Sequence, residues 1–180
     1  MKRGAVLVSL ILPAVASLAL PGCGPHKPPK FAPDVGFDRL LQAPMAALPA
    51  LSDLRGHVVV LEFWATWCGP CLETLPHMNR LVETFAGQPV RFISATDEPA
   101  DHVEAFLRKR PMKAWIALDP KKRASQAFGV RGIPQVFVID PHGRIHLRIT
   151  PSFLYKSDIA KALKAAPPSP RPPAPPAKQG

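Results

Sequence analysis

Cys68-Gly69-Pro70-Cys71 is the stretch of this 180-residue chain best suited to chemistry, and one acid, Glu62, interrupts the apolar run six positions before it. A C-x-x-C pair serves several chemistries. Zinc needs two more soft or imidazole ligands. The only other cysteine is the distant Cys23, and His142 and His146 stand on either side of an expected hairpin turn. A c-type haem needs a histidine directly after the second cysteine, where Leu72 stands. Two thiolates could also hold Cu(I), as in a metallochaperone, although the nearest extra sulfur ligand, Met78, lies about two helical turns on. A peroxidase would carry a Thr-x-x-Cys motif with a catalytic arginine, and none is evident. The remaining chemistry is a redox dithiol.

The elements that must position these residues favour the dithiol. His57–Trp64 is an apolar, β-branched run whose continuous hydrophobicity suits a central strand covered on both faces. Leu72, Leu75, Met78, Leu81, Val82 and Phe85 recur at helical spacing, which predicts a helix over Cys71–Ala86 stopped by Gly87. Both cysteines then fall in a first helical turn, with Cα atoms about 5–6 Å apart, inside disulfide range. Pro70 suits that turn, where a missing N–H costs nothing. Cys68 faces unsatisfied N–H groups and the positive end of the helix dipole, which favour thiolate over thiol. Cys71 lies one turn deeper and is expected to be more buried. Cys68 is therefore read as the attacking nucleophile and Cys71 as the resolving thiol. Glu62, on a central strand, is expected to have its pKa raised by desolvation, as a proton acceptor and donor requires. A solvated rim position or pairing with an arginine is the competing expectation.

Further strands are expected at Val90–Ala95, Ala114–Leu118, Gln135–Ile139 and Arg144–Ile149, and helices at Asp101–Lys109, Ala124–Phe128 and Ser157–Lys164. Asp140-Pro141-His142-Gly143 has the turn residues of a hairpin. Phe37–Arg55 is expected to add an N-terminal strand or hairpin. This order predicts a three-layer α/β/α sandwich with a mixed central sheet over residues 34–166.

Phe63-Trp64-Ala65-Thr66-Trp67-Cys68-Gly69-Pro70-Cys71 resembles the active-site stretch of the thioredoxin superfamily, and more narrowly that of the TlpA/ResA-like thiol–disulfide oxidoreductases of bacterial cell envelopes. Ser52–Gly56, Leu75-Pro76-His77 and Phe128–Pro134 extend the resemblance over roughly Ser52–Ala165. It implies a thioredoxin-like fold, a cis peptide before Pro134, and substrate contacts from Trp67, Gly69, Pro70, Ile133 and Pro134. Glu62 matches the buried aspartate of thioredoxin, whose partner lysine has no equivalent in Phe92–Thr96. Relatives often carry a glutamate three residues after the second cysteine; here Thr74 stands there and Glu73 precedes it. The resemblance also implies a reductase of envelope proteins such as apo-cytochrome c or copper-centre proteins, re-reduced by a membrane thiol transporter. It would act as a monomer, with no cofactor beyond the Cys68–Cys71 disulfide and no metal.

The ends read as targeting and tether. Met1-Lys2-Arg3 and the apolar run Ala5–Leu20 have the charged and hydrophobic regions of a secretory signal. Leu20-Pro21-Gly22-Cys23 resembles a bacterial lipobox, which makes residues 1–22 a signal peptide and Cys23 the lipidated N-terminus of an extracytoplasmic, membrane-anchored protein. A cleaved signal with Cys23 as a free thiol is the alternative. Residues 23–33 suit a Pro/Lys-rich spacer and residues 167–180 a Pro-rich disordered tail. Of the formal net charge of +10, residues 34–164 contribute a surplus of only 17 bases over 13 acids. With no basic–aromatic interleaving, nucleic-acid binding is set aside, and Arg108-Lys109-Arg110 reads as a solvated face or as mildly attracted to anionic lipid headgroups.

Overall fold

The computed structural model describes residues 31–165. The expected signal peptide, Cys23 and the Pro-rich tail lie outside the described residues.

Six strands, β1 (Arg39–Leu41), β2 (Val58–Phe63), β3 (Val90–Thr96), β4 (Trp115–Leu118), β5 (Gln135–Ile139) and β6 (Ile145–Ile149), form one mixed sheet in the order β1-β4-β3-β2-β5-β6. Strand β2 is parallel to β3 and antiparallel to β5. All six of its residues are buried, as a run of Val, Val, Val, Leu, Glu and Phe demands of a strand with helices on both sides. Its alternation sorts the core. Val59, Leu61 and Phe63 join one cluster with α3 (Arg123–Ala127) and the N-terminal segment. Val58 and Val60 join another with α1 (Gly69–Thr84) and α4 (Lys156–Leu163). Burying each of these aliphatic side chains contributes roughly 1.5–3 kcal/mol. Helix α2 (Ala100–Lys109) puts Val103 in a third cluster with Ile116 and Leu118 of β4. The expected three-layer α/β/α sandwich is thus the architecture.

Element boundaries differ from the sequence expectation by one or two residues, for identifiable reasons. Helix α1 starts at Gly69 because the Cys68 sulfur caps it, accepting the Cys71 N–H at 3.3 Å. In α3 the N-cap is Lys122, left-handed at φ 56°, and the capping role passes to Asp119, whose carboxylate accepts Ala124 and Ser125 N–H groups. Phe37–Arg55 forms β1, antiparallel to β4, and a 3-10 turn at Leu51–Leu54. Phe37, Leu40, Leu48, Leu51 and Leu54 are buried there, closing the core on the α3 side. The chain meets the domain earlier than its expected start at residue 34. Phe31 bridges to Arg144, and Ala32 N–H donates to Gly143 O at 2.8 Å. Arg108, Lys109 and Arg110 are exposed, as a solvated face requires.

Candidate active site

The loop after β2 carries the chain from the sheet to α1, and the two cysteines lie where it becomes helical. Cys68 and Cys71 form a disulfide with Cα atoms 5.2 Å apart. One expectation fails: Cys71 is not the more buried, since both cysteines are 4% exposed. The N-cap position folds the Cys68 side chain back over the first turn, so in the disulfide both sulfurs are covered, within a cluster containing Trp64, Ala65 and Val103. What separates the cysteines is the helix. Cys68 precedes it and faces its N–H groups, while Cys71 is built into its first turn. Once the pair is reduced, the Cys71 N–H and the helix dipole stabilise negative charge at Cys68.

Glu62 shares a face with Val58 and Val60, under α1. Met78 and Leu81 of α1 cluster with Val60, and Cys71 clusters with Trp64. Lying between Val60 and Trp64 on that face, Glu62 sits beneath the first turns of α1. It is 3% exposed, so the rim alternative is excluded. Among the described residues no arginine pairs with it; a hydrogen bond comes from the Ser94 hydroxyl, which donates to Oε2 at 2.9 Å from the facing position on β3. Burial pushes the Glu62 carboxyl up to about 7, with the Ser94 hydrogen bond pulling the other way. A carboxylate that titrates near neutrality can exchange a proton under ordinary conditions.

The residues expected to contact substrate stand at the rim of the site. Trp67 is 72% exposed, which excludes a core role. The Ile133–Pro134 peptide is cis. Ile133 makes no backbone hydrogen bond among the described residues. Trp67, Trp64, Val130, Gly132 and Ile133 line a cleft of about 250 Å³. Gly69 and Pro70 begin α1 beside it. Thr74, where relatives often place a glutamate, turns its hydroxyl back onto the Pro70 and Cys71 carbonyls. A larger cleft, about 580 Å³, is lined by His57, Arg91 and Trp115 and includes neither cysteine.

Two residues at the site escaped the sequence reading. Ser94 sits in an apolar strand with no motif to mark it. Glu98, after β3, accepts the Thr66 N–H and the Thr66 hydroxyl, each at 2.6 Å, and the Thr96 hydroxyl at 3.2 Å. It thereby pins the loop two residues before Cys68, across 32 positions of sequence. A carboxylate 32 residues from the loop it holds leaves no local signal.

Comparison with known proteins agrees with this geometry. The AhpC/TSA family model matches residues 42–148. The thiol-disulfide oxidoreductase ResA of Geobacillus thermodenitrificans is 34% identical over 119 residues, covering 66% of this chain and 68% of that protein. ResA of Bacillus subtilis is 32% identical over 96 residues, covering 53% and 54% of the two chains. A crystal structure of a putative thiol:disulfide interchange protein DsbE from Chlorobium tepidum superposes with TM-score 0.64 at 28% identity, covering 74% of this chain and 96% of that one. With its disulfide at the head of α1 and relatives of that activity on either side, the chain belongs to the thioredoxin-like AhpC/TSA family and is a thiol–disulfide oxidoreductase.

Proposed function

We propose that this protein reduces disulfides of cysteine-containing envelope proteins, apo-cytochrome c and copper-centre proteins among them, from an extracytoplasmic position to which Cys23 anchors it by lipid. The observation that carries the reading is the Cys68–Cys71 pair at the start of α1 beside an Ile133 backbone that makes no hydrogen bond among the described residues. Gly69-Pro70 between the cysteines is the thioredoxin pairing, at the reducing end of the potential scale.

In the reduced protein, the Cys68 thiolate attacks one sulfur of the substrate disulfide. A Cys68–substrate bond forms, and the other substrate sulfur leaves as a thiolate that takes a proton from solvent. Cys71 then loses its proton to Glu62 and attacks Cys68 Sγ. The Cys68–Cys71 bond forms and the mixed disulfide breaks, releasing the second substrate thiolate. Two electrons pass to the substrate and the dithiol ends oxidised. A membrane thiol transporter restores it by the reverse exchange. Trp67, Gly69, Pro70, Ile133 and Pro134 contact the substrate, which adds a short strand at Ile133. No cofactor beyond the disulfide takes part, and the protein works as a monomer.

The topology suits an anchored reductase. The described chain begins at Phe31, against the β5–β6 hairpin. Because β5 runs antiparallel to β2, this hairpin is at the opposite pole from the dithiol, so a tether there leaves the site open. Among the described residues no helix is long and apolar enough to cross a membrane.

The test is trapping. Cys71→Ser is expected to capture envelope partners as mixed disulfides, and Cys68→Ser to lose insulin-disulfide reduction. Capture by Cys68→Ser alone would reverse the roles. Cys23→Ala is expected to release the protein from the membrane fraction; unchanged fractionation removes the lipid anchor.

A further inference from the structure

The Ser94–Glu62 hydrogen bond is a buried polar contact in the largely apolar layer between the sheet and α1, and it divides the carboxylate. Ser94 donates to Oε2, while Oε1 takes no hydrogen bond among the described residues. The register holds the two residues directly across from each other on β2 and β3. Both are buried, at 3% and 2% exposure. On the other side of β2, Val136 faces Glu62 and offers no polar atom.

From this arrangement we infer that Ser94 is a positioning residue for proton transfer, holding the Glu62 carboxylate by Oε2 so that Oε1 receives the Cys71 proton. The inference rests on the proposed role of Glu62 and adds the residue that orients it. A carboxylate free to rotate in an apolar layer spends much of its time in unproductive orientations, and fixing one oxygen removes that freedom. The hydroxyl also stabilises the charged form against desolvation, which keeps the group from becoming a permanently protonated acid.

Among the described residues no hydrogen bond or ion pair brings a formal charge to this carboxylate. Strand β3 presents Phe92, Ser94 and Thr96 on the same face, and β5 presents Val136 and Val138. The buried residues of α1 are Cys71, Met78 and Leu81, that of α2 is Val103, and those of α4 are Ile159 and Ala162. Among the described residues of these elements the titratable groups turned inward are the two cysteines, His77 of α1, half-buried with Nε2 2.8 Å from the Leu154 carbonyl, and Glu98, whose carboxylate is held by Thr66 and Thr96.

The experiment follows resolution in the full-length protein. The reduced form is mixed with saturating oxidised glutathione, and closure of the Cys68–Cys71 disulfide is followed by stopped-flow tryptophan fluorescence from pH 6 to pH 10. Ser94→Ala is expected to move the rising limb of the pH–rate profile up by about one unit and to slow closure about fivefold at pH 7. The two proteins should converge where hydroxide ionises Cys71 unaided. Ser94→Thr, which keeps the hydroxyl, is expected to restore the parent limb. A ¹³C titration of the Glu62 carboxyl in each reduced variant reads the same shift without kinetics and shows that the variant is folded. If Ser94→Ala leaves the limb and the titration in place while Glu62→Gln flattens the limb, Ser94 positions nothing. If Glu62→Gln also leaves the profile unchanged, the role of Glu62 fails first and the inference falls with it.

Discussion

Glu62 and Asp140 are equally buried, each 3% exposed, and they stand near opposite ends of the same sheet. Their surroundings differ in one respect. Asp140 accepts the His142 and Arg144 backbone N–H groups at 2.9 Å and the Arg144 guanidinium at 2.6 Å. Glu62 accepts one hydroxyl. A buried charge is tolerated when donors and a counter-charge replace its lost water, and then it holds structure. Without them the charged form is disfavoured, and the group is left able to take a proton near neutral pH. Asp140 accordingly closes the β5–β6 hairpin, where Gly143, at φ 82°, makes the turn and its N–H reaches Asp140 O. Glu62 lies on the α1 side of β2, two residues before the Trp64 that packs against the dithiol.

The comparison predicts the largest effect at the compensated site. Asp140→Ala removes the carboxylate facing Arg144 together with three hydrogen bonds, and is expected to cost about 3–5 kcal/mol in urea unfolding. The rate of disulfide exchange per folded molecule should not change. A loss under about 1 kcal/mol would mean that Asp140 is no more structural than a surface acid.

Glu62→Gln should act with the opposite sign. The folded carboxyl titrates at about 7, above its ordinary value of 4.5, because of burial. The folded state therefore binds the proton more tightly than the unfolded chain. This contribution is fully present below about pH 4.5 and is lost as pH rises to about 7. The variant lacks that loss. It is expected to match the parent at pH 4 and to exceed it at pH 8 by up to about 3 kcal/mol. Parallel stability curves for the two proteins from pH 4 to pH 8 would show that burial does not raise the Glu62 carboxyl above its ordinary value.

Glu98 falls between the two cases, half-buried and held by two hydroxyls and one N–H. Glu98→Ala should cost about 1–2 kcal/mol, the smallest of the three effects, concentrated in the loop before Cys68. Hydrogen exchange at the Thr66 amide is the sensitive measure. Exchange there no faster than in the parent would remove Glu98 as the anchor of that loop.

The sequence alone determined the parts set by local periodicity and by the special chemistry of single residues. An apolar run interrupted by Glu62 made β2 central, helical spacing gave α1 its buried side, and Gly143 marked the hairpin. Cys68, Cys71 and Glu62 were legible because each breaks or punctuates such a pattern. Tertiary structure decided what depends on pairing between distant segments. Ser94 became the partner of Glu62 only through the β2–β3 register, and Glu98 reached Thr66 only because the loops after those strands lie side by side. Equal burial of the two cysteines came from the Cys68 side chain folding over its own helix. Phe37–Leu54 found its place by burying leucines and a phenylalanine against a face that the rest of the chain left open. Periodicity reports which side of an element is apolar, but which group stands opposite a buried charge is settled by packing, because only in the packed state does that charge lose its water.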